Sequence, residues 1–240
     1  MKLTKISIIA PVLGVFLLLS AVQTPAQTSY VGVKGGIFAG FYGGEDWKDT
    51  ISEIDGQTGV SAENAFRAGF ALSGLVEIGV SRTFSIQPEI GYARRSGGVV
   101  TEEDDSDNEQ QSLFMYDLIE IPLFLKPHGR IGDHLTLYGL LGPRVSFLFG
   151  DVTARGREET DNDTTTTTSE RTPDNTVLFG GSVGAGLAGD VNGARILFEA
   201  LYSRHFNSAF EEVDLLGQNE TTKRPILNSI GLWLGVDFPI

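Results

Sequence analysis

Residues 66–80 have the sequence FRAGFALSGLVEIGV, in which apolar residues or glycine occupy every second position. The positions between them include Arg67, Ser73 and Glu77. Because successive side chains of a β-strand point to opposite faces, this pattern predicts one strand with an apolar and a polar face. The apolar face runs for eight positions, which is long for a strand of a soluble sandwich.

Similar alternation recurs along the rest of the chain. It predicts eight strands, at about 30–43, 65–80, 84–95, 113–126, 135–149, 176–188, 194–206 and 226–238. A tilted strand needs about 9–11 residues to cross a bilayer, and each of these segments is long enough. An apolar face on every strand favours a sheet that contacts lipid.

The connections between these strands alternate strictly in length. Outer-membrane barrels combine long extracellular loops with short periplasmic turns in this rhythm. The sequence therefore predicts an all-β fold, an eight-stranded antiparallel up-and-down transmembrane β-barrel with both termini in the periplasm. The expected long extracellular loops are 44–64, 96–112, 150–175 and 207–225, and the short turns are 81–83, 127–134 and 189–193.

The charges are sorted between these regions. The four long connections hold 23 of the 31 acidic residues and only six of the 18 basic ones, so the loops are acidic. The formal net charge of −13 argues against a nucleic-acid partner, which needs a basic surface. The absence of cysteine excludes disulfides and thiolate chemistry, and three histidines leave little for a metal centre.

The N-terminus has the three parts of a secretory signal peptide. Lysines at positions 2 and 5 precede an apolar stretch, and small residues surround Ala26. We expect residues 1–26 to be cleaved and residues 27–240 to form the outer-membrane barrel domain. The alternative, an uncleaved membrane anchor, is disfavoured because Pro11, Gly14 and Ser20 interrupt a short apolar run.

The polar faces of the predicted strands carry bases and acids together. A barrel lumen explains this arrangement, because a base near mid-depth on a lipid-facing wall costs about 2–4 kcal/mol. The alternative is a soluble lipocalin-like barrel, which would have to expose all these charges on its outer wall. The predicted lumen charge network is Lys34, Arg67, Glu77, Glu89, Arg95, Glu120, Arg144, Arg195, Glu199 and Asp237.

Four residues depart from the simple strand pattern. Pro88, Pro122 and Pro143 lie inside predicted strands, where a proline cannot donate to the hydrogen-bond ladder. We expect bulges or local breaks in pairing there. Asp117 falls on the lipid-facing side of its strand, so the membrane boundary is expected below it.

Several segments resemble a known family. Residues 118–126 (LIEIPLFLK), 137–144 (LYGLLGPR), 199–204 (EALYSR) and 229–238 (SIGLWLGVDF) are similar to the PorT-like outer-membrane β-barrel domain of Gram-negative bacteria. The last segment resembles the terminal signal read by the barrel-assembly machinery, although Pro239 and Ile240 follow it in place of a terminal aromatic residue. The resemblance implies insertion by that machinery and contact with outer-membrane lipid. It implies no activity, because most members of the family are uncharacterised.

Three motifs suggest ligands or chemistry, and each also has a structural explanation. Residues 184–189 match G-x-G-x-x-G, but a strand is expected to follow instead of the helix that a dinucleotide site needs. Asp104, Asp105 and Asp107 are candidates for a loose divalent-cation site, although an EF-hand pattern fails and a solvated acidic loop is the alternative. The threonine tract at 164–168 is not one of these motifs but a low-complexity segment, and it is expected to be mobile.

The third motif is Ser203 and His205 with Glu199 on one face of a strand, as in a barrel lipid hydrolase. That face is predicted to point into the lumen, away from lipid. The favoured hypothesis is a non-enzymatic barrel with a side-chain-filled lumen, acting as a structural or surface-interaction protein through its loops. A narrow porin-like channel is the first alternative and the lipid hydrolase the second. No cofactor is implied, and no protein partner can be named.

Overall fold

The computed structural model describes residues 28–55, 60–103, 109–160, 163–210, 212–214 and 221–240. The predicted signal peptide and the three aspartates Asp104, Asp105 and Asp107 lie outside the described residues. The elements are β1 Tyr30–Gly43, α1 Glu45–Asp55, β2 Val60–Ala65, β3 Arg67–Ser81, β4 Phe84–Glu103, β5 Glu109–Ile131, β6 Leu135–Leu148, β7 Val152–Thr160, β8 Asp163–Arg171, β9 Val177–Val191, β10 Ala194–His205, β11 Glu212–Asp214, β12 Thr221–Lys223 and β13 Ile226–Pro239.

Eight long strands close into a ring, as predicted. Each pairs antiparallel with its neighbours in the order β1, β3, β4, β5, β6, β9, β10, β13. The first and last strands close the ring, from Tyr30 opposite Pro239 to Gly43 opposite Ile226. The chain is therefore an eight-stranded up-and-down β-barrel.

The turns at one end of the barrel are tight. β3 and β4 are joined by residues 82–83, β5 and β6 by 132–134, and β9 and β10 by 192–193. Asn192 and Gly193 both have positive φ, at 49° and 87°. This is the conformation of a type I′ turn, whose twist matches that of the strands it joins. We call this the short-turn end and the opposite end the long-loop end.

The long connections differ from the prediction, because most of their described residues are in regular structure. The predicted loop 96–112 is largely a continuation of β4 and β5, which pair as far as Glu102 opposite Glu109. The predicted loop 150–175 holds the hairpin β7–β8, and the threonine tract expected to be mobile lies in β8. β-Branched threonine favours an extended backbone, and pairing with β7 supplies the hydrogen bonds.

The outer wall is apolar and the interior is packed. Outward-facing residues such as Ile37, Leu72 and Leu234 are more than 60% exposed, as expected for side chains that face lipid. Aromatic residues gather on the outer wall toward the long-loop end, where Phe66, Phe149 and Phe206 are among the most exposed. Such a girdle marks a membrane interface in barrels of this type. No helix in the described residues is long and apolar enough to cross a membrane.

The prolines interrupt the ladder as predicted. In the β4–β5 pair, the partners stop at Pro88 opposite Leu123 and resume at Gly91 opposite Glu120. In the β5–β6 pair, they stop at Pro122 opposite Arg144 and resume at Leu125 opposite Leu141, which skips Pro143. The register is unchanged across both gaps, so these are local breaks without an inserted residue.

Candidate functional site

The lumen holds three clusters of buried charge, stacked from the short-turn end upward. In the lowest cluster, Glu77 accepts hydrogen bonds from Lys126 Nζ at 2.8 Å and from Arg195 Nη2 at 2.6 Å. Arg195 also binds Asp237 through Nε at 2.9 Å and Nη2 at 2.6 Å. The same pattern of alternation that places apolar side chains on lipid places these four side chains inside.

The middle cluster surrounds Lys34. Its Nζ lies 2.7 Å from Glu89 Oε1 and 2.5 Å from Glu199 Oε2. Tyr138 donates to the other oxygen of Glu199 at 3.0 Å, and the Lys34 ammonium lies 5.0 Å from the centre of the Trp233 ring. An ammonium buried in this way is stabilised by two carboxylates and by an aromatic face.

Gln87 joins the lower and middle clusters. Lys126 Nζ donates to Gln87 Oε1 at 2.9 Å, and Gln87 Nε2 donates to Glu89 Oε1 at 2.6 Å. One connected network therefore extends from Asp237 to Tyr138. A network in which every member has a partner fixes its side chains, because the interior is a poor solvent for unpaired charge.

The upper cluster is centred on Glu120. Arg95 binds both of its oxygens, through Nε at 2.7 Å and Nη2 at 2.9 Å. Arg144 Nη1 donates to the same carboxylate at 3.2 and 3.3 Å. Arg95 also donates to Ser229 Oγ and lies 4.5 Å from the centre of the Phe38 ring. Two guanidinium groups therefore share one buried carboxylate.

The structure brings all of the predicted lumen residues except Arg67 into these clusters. Arg67 lies closer to the long-loop end and donates to Gln111 instead. Lys126, which the predicted network does not include, is also buried and is only 1% exposed. The alternation of β5 places it on the same face as Glu120, so the signal was present. With Lys126 in place of Arg67, five bases and five acids balance inside the barrel.

Little open space remains around these side chains. A cavity of about 20 Å³, enough for about one water molecule, lies between the middle and upper clusters. Glu89, Glu120 and Arg144 line it together with serine and aromatic side chains. The lumen is filled at these levels, as the sequence predicts for a barrel of eight strands.

An apolar cap covers the long-loop end of the lumen. The Tyr42 and Tyr116 hydroxyls are hydrogen-bonded to each other, and Trp47 of α1 packs 4.9 Å from the Tyr42 ring. Trp47 Nε1 donates to Asn64 Oδ1 at 2.6 Å, and this hydrogen bond joins α1 to β2. The buried members of the cap are Tyr42, Trp47, Val99, Phe114, Tyr116, Leu118, Val152, Leu178, Ala209, Phe210 and Leu227.

The residues of the lipid-hydrolase hypothesis lie inside the barrel and do not form a triad. Ser203 shares a hydrogen bond with Ser182 at 3.1 Å, and Glu199 is bound to Lys34 and Tyr138. His205 Nε2 lies 3.2 Å from Ser146 Oγ, and its Nδ1 lies 3.2 Å from the Leu227 carbonyl oxygen. Ser146 and His205 are both buried, so this pair does not face lipid.

The glycine motif at 184–189 lies within β9 and is followed by the tight turn and β10. A Cβ on Gly186 would come within 2.5 Å of the Tyr138 ring. The glycine therefore provides the space that lets Tyr138 reach Glu199. In the described residues, no group of three or more histidine or acidic side chains is arranged to hold a metal ion.

An ion pair faces outward near the long-loop end. Arg94 binds both oxygens of Asp117, at 2.8 and 2.9 Å, and Tyr92 donates to the same carboxylate. Asp117 is thus on the outer wall, as its position in β5 predicts, and a planar two-bond contact neutralises it.

Above the barrel rim, β4 and β5 continue as part of the same sheet and pair there with further strands, which together form a protruding sheet. β2 pairs with the upper part of β4, β7 pairs with residues 109–115 of β5, and β8 pairs with β7. The strand order of this protruding sheet is β2-β4-β5-β7-β8. A short hairpin, β11–β12, lies in the last long connection.

The comparison with known protein families agrees with this architecture. The profile of the family described as outer membrane protein beta-barrel domain matches residues 23–211. The chain belongs to this family. The match places the protein in the bacterial outer membrane, where its apolar wall contacts lipid. No curated protein matches the sequence.

Solved structures of outer-membrane barrels are similar in outline. Neisserial surface protein A has 11% identity and a TM-score of 0.41, with coverage of 88% of this chain and 97% of that one. The Yersinia pestis attachment invasion locus protein Ail has 13% identity and a TM-score of 0.36, covering 89% and 98%. Pseudomonas aeruginosa OprG has 11% identity and a TM-score of 0.44, covering 89% and 96%.

Proposed function

We propose that this family member is a closed outer-membrane barrel, with no catalytic activity, that acts as a structural or surface-interaction protein through its protruding long-loop end. The observation that carries the proposal is the lumen, where ten buried charged side chains pair with one another. A conduit for solutes needs an open, hydrated path, and paired side chains across a narrow barrel leave none. The protruding sheet and cap are the parts of the described chain that extend away from the lipid-facing wall.

The orientation belongs to the same proposal. With both termini in the periplasm, the protruding sheet lies outside the cell, as do the acidic connections. Insertion by the barrel-assembly machinery and membership of the PorT-like group are proposed from the final strand and the segments that resemble that group. Under this proposal, the buried charge network maintains the shape of a rigid platform.

Swelling of proteoliposomes in small sugars tests the closed lumen. Liposomes that contain the refolded protein should swell no faster than empty ones, because no path exists for the sugar. A channel-forming porin in parallel liposomes serves as the positive control. Sugar-dependent swelling that scales with the amount of folded protein would support the porin-like alternative instead.

A further inference from the structure

Within the described part of the chain, the protruding sheet has one covered edge and one edge that no other element covers, which we call the bare edge. At the first edge, α1 packs beside β2, and Trp47 is bonded to Asn64. At the other edge, β8 pairs only with β7 among the described strands. Proteins commonly protect exposed strand edges with a helix, a proline or a lysine. Here the first edge has a helix, whereas among the described residues no helix covers β8, which contains no proline or lysine and has charged residues only at its two ends.

The bare edge is uncharged at its centre. β8 contains five consecutive threonines and Ser169, and residues 164–170 are all exposed. Charged residues occur only at its two ends, in one of the most acidic connections of the chain. An extended edge of this kind presents backbone groups that can pair with another strand.

The partner that fits this edge is a second copy of β8. The long connections carry a net charge near −17, so two copies repel each other over most of this end of the molecule. The threonine tract is an uncharged segment within these acidic connections, and two copies of it can pair antiparallel with like side chains opposite each other. Antiparallel pairing centred on Thr167 places Thr166 opposite Thr168 and Thr165 opposite Ser169, and cross-strand Thr–Thr and Thr–Ser pairs are favourable.

Membrane geometry selects the arrangement of the two copies. β8 is joined through β7 to the upper part of β5, and the strands of such barrels tilt about 35–45° from the membrane normal. A two-fold axis along the normal would make two tilted strands cross. A two-fold axis that lies in the membrane plane and perpendicular to the strand makes them antiparallel at any tilt, and it relates barrels in two facing membranes.

We propose that β8 pairs antiparallel with β8 of a second copy in a facing membrane, so that the protein joins two outer membranes by strand addition. The inference rests on the proposed surface-interaction function and names its partner. One strand pair buries little area and is weak alone, but many copies on two facing surfaces act together.

Charge substitutions at Thr166 and Thr168 test the pairing. Protein would be refolded into liposomes, and tethering followed by light scattering at about 0.15 M salt, where charges are screened beyond ~8 Å. Wild-type liposomes should aggregate. The variant Thr166→Lys/Thr168→Lys opposes lysine to lysine at two positions, and tethering should fall at least about tenfold. This loss is expected although the added lysines reduce the overall acidic repulsion.

The matched control is Thr166→Lys/Thr168→Glu, which places lysine opposite glutamate in the antiparallel arrangement only. It should tether about as well as wild type. Equal tethering by the lysine pair, or loss of tethering in the lysine–glutamate variant, would overturn the proposal. A heat-modifiable gel shift verifies that each variant is folded.

Cross-linking determines the register, and the chain has no cysteine to interfere. Liposomes with Thr165→Cys mixed with liposomes with Ser169→Cys should form disulfide-linked dimers, whereas either population alone should form few. Arg155→Cys on the neighbouring strand β7 controls for random collision. Equal yields in the single and mixed populations would contradict the antiparallel pairing. Such a result with an intact swelling barrier would reject this partner while leaving the closed-barrel proposal standing.

Discussion

Glu120 is the residue on which the upper lumen depends most directly. It is the shared carboxylate of Arg95 and Arg144, and all three side chains are buried. Removing one member of a buried ion pair leaves charge without a partner and typically costs about 3–5 kcal/mol. Glu120→Ala should therefore lower the unfolding free energy by about that amount, measured by urea titration of tryptophan fluorescence in lipid vesicles.

The matched control is the exposed pair at the short-turn end. Arg130 Nη2 lies 3.4 Å from Asp190 Oδ2, and both side chains are solvent-accessible. Exposed pairs contribute about 0–1 kcal/mol, so Asp190→Asn should leave the titration midpoint nearly unchanged. Equal destabilisation by the two substitutions would mean that the lumen pairs contribute no more to the free energy of unfolding than surface pairs do.

At the same scale, the sequence predicts which way a side chain points but not what it binds. Alternation alone placed Lys34 and Glu199 inside. That they meet could not be predicted, because the two residues are 165 positions apart and their contact depends on the stagger of all the strands between them. The same limit explains why His205 of β10 binds Ser146 of β6, two strands away in the ring, instead of Ser203 on its own strand.

At the scale of the elements, the cap depends on α1 and on its contact with the barrel rim. Trp47 is 1% exposed and anchors the helix on Tyr42 and Asn64. Truncating a buried tryptophan costs about 3–5 kcal/mol of folding free energy. Because a short helix is marginally stable without tertiary packing, α1 should not remain folded after this loss. Trp47→Ala should detach α1 and speed tryptic cleavage after Lys48, while the barrel keeps its heat-modifiable gel shift. Ser52→Ala, on an exposed helix position, should leave the cleavage rate unchanged.

The elements also show where sequence patterns stop being informative. The membrane strands were predictable because lipid on one side and packed polar groups on the other enforce alternation. The continuations of β4 and β5 were assigned to loops because acidic residues interrupt that pattern beyond Arg95. Outside the membrane both faces can be polar, so pairing there depends on neighbouring strands and on buried residues such as Val99 and Val152.

At the scale of the whole molecule, the main feature is that charge is distributed unevenly between the lumen and the long connections. The lumen is balanced, whereas the long connections carry a net charge near −17. Like charges act over about 30 Å at 0.01 M salt and only about 3 Å at 1 M. Proteolysis of the 96–112 and 150–175 segments should therefore slow as salt rises, and millimolar calcium should slow it further.

Replacing Asp104, Asp105 and Asp107 by asparagine should remove most of the calcium effect but keep the salt effect. Cleavage at one rate in every condition would mean that the charge has no structural role.

Planar-bilayer recording tests the closed lumen most directly. We expect no steady conductance steps at either polarity for the wild-type protein. We expect the same for Tyr42→Ala/Tyr116→Ala, which loosens the cap but leaves the charge clusters beneath it in place. Large, stable, ion-permeable steps from the folded wild-type barrel would contradict a closed lumen.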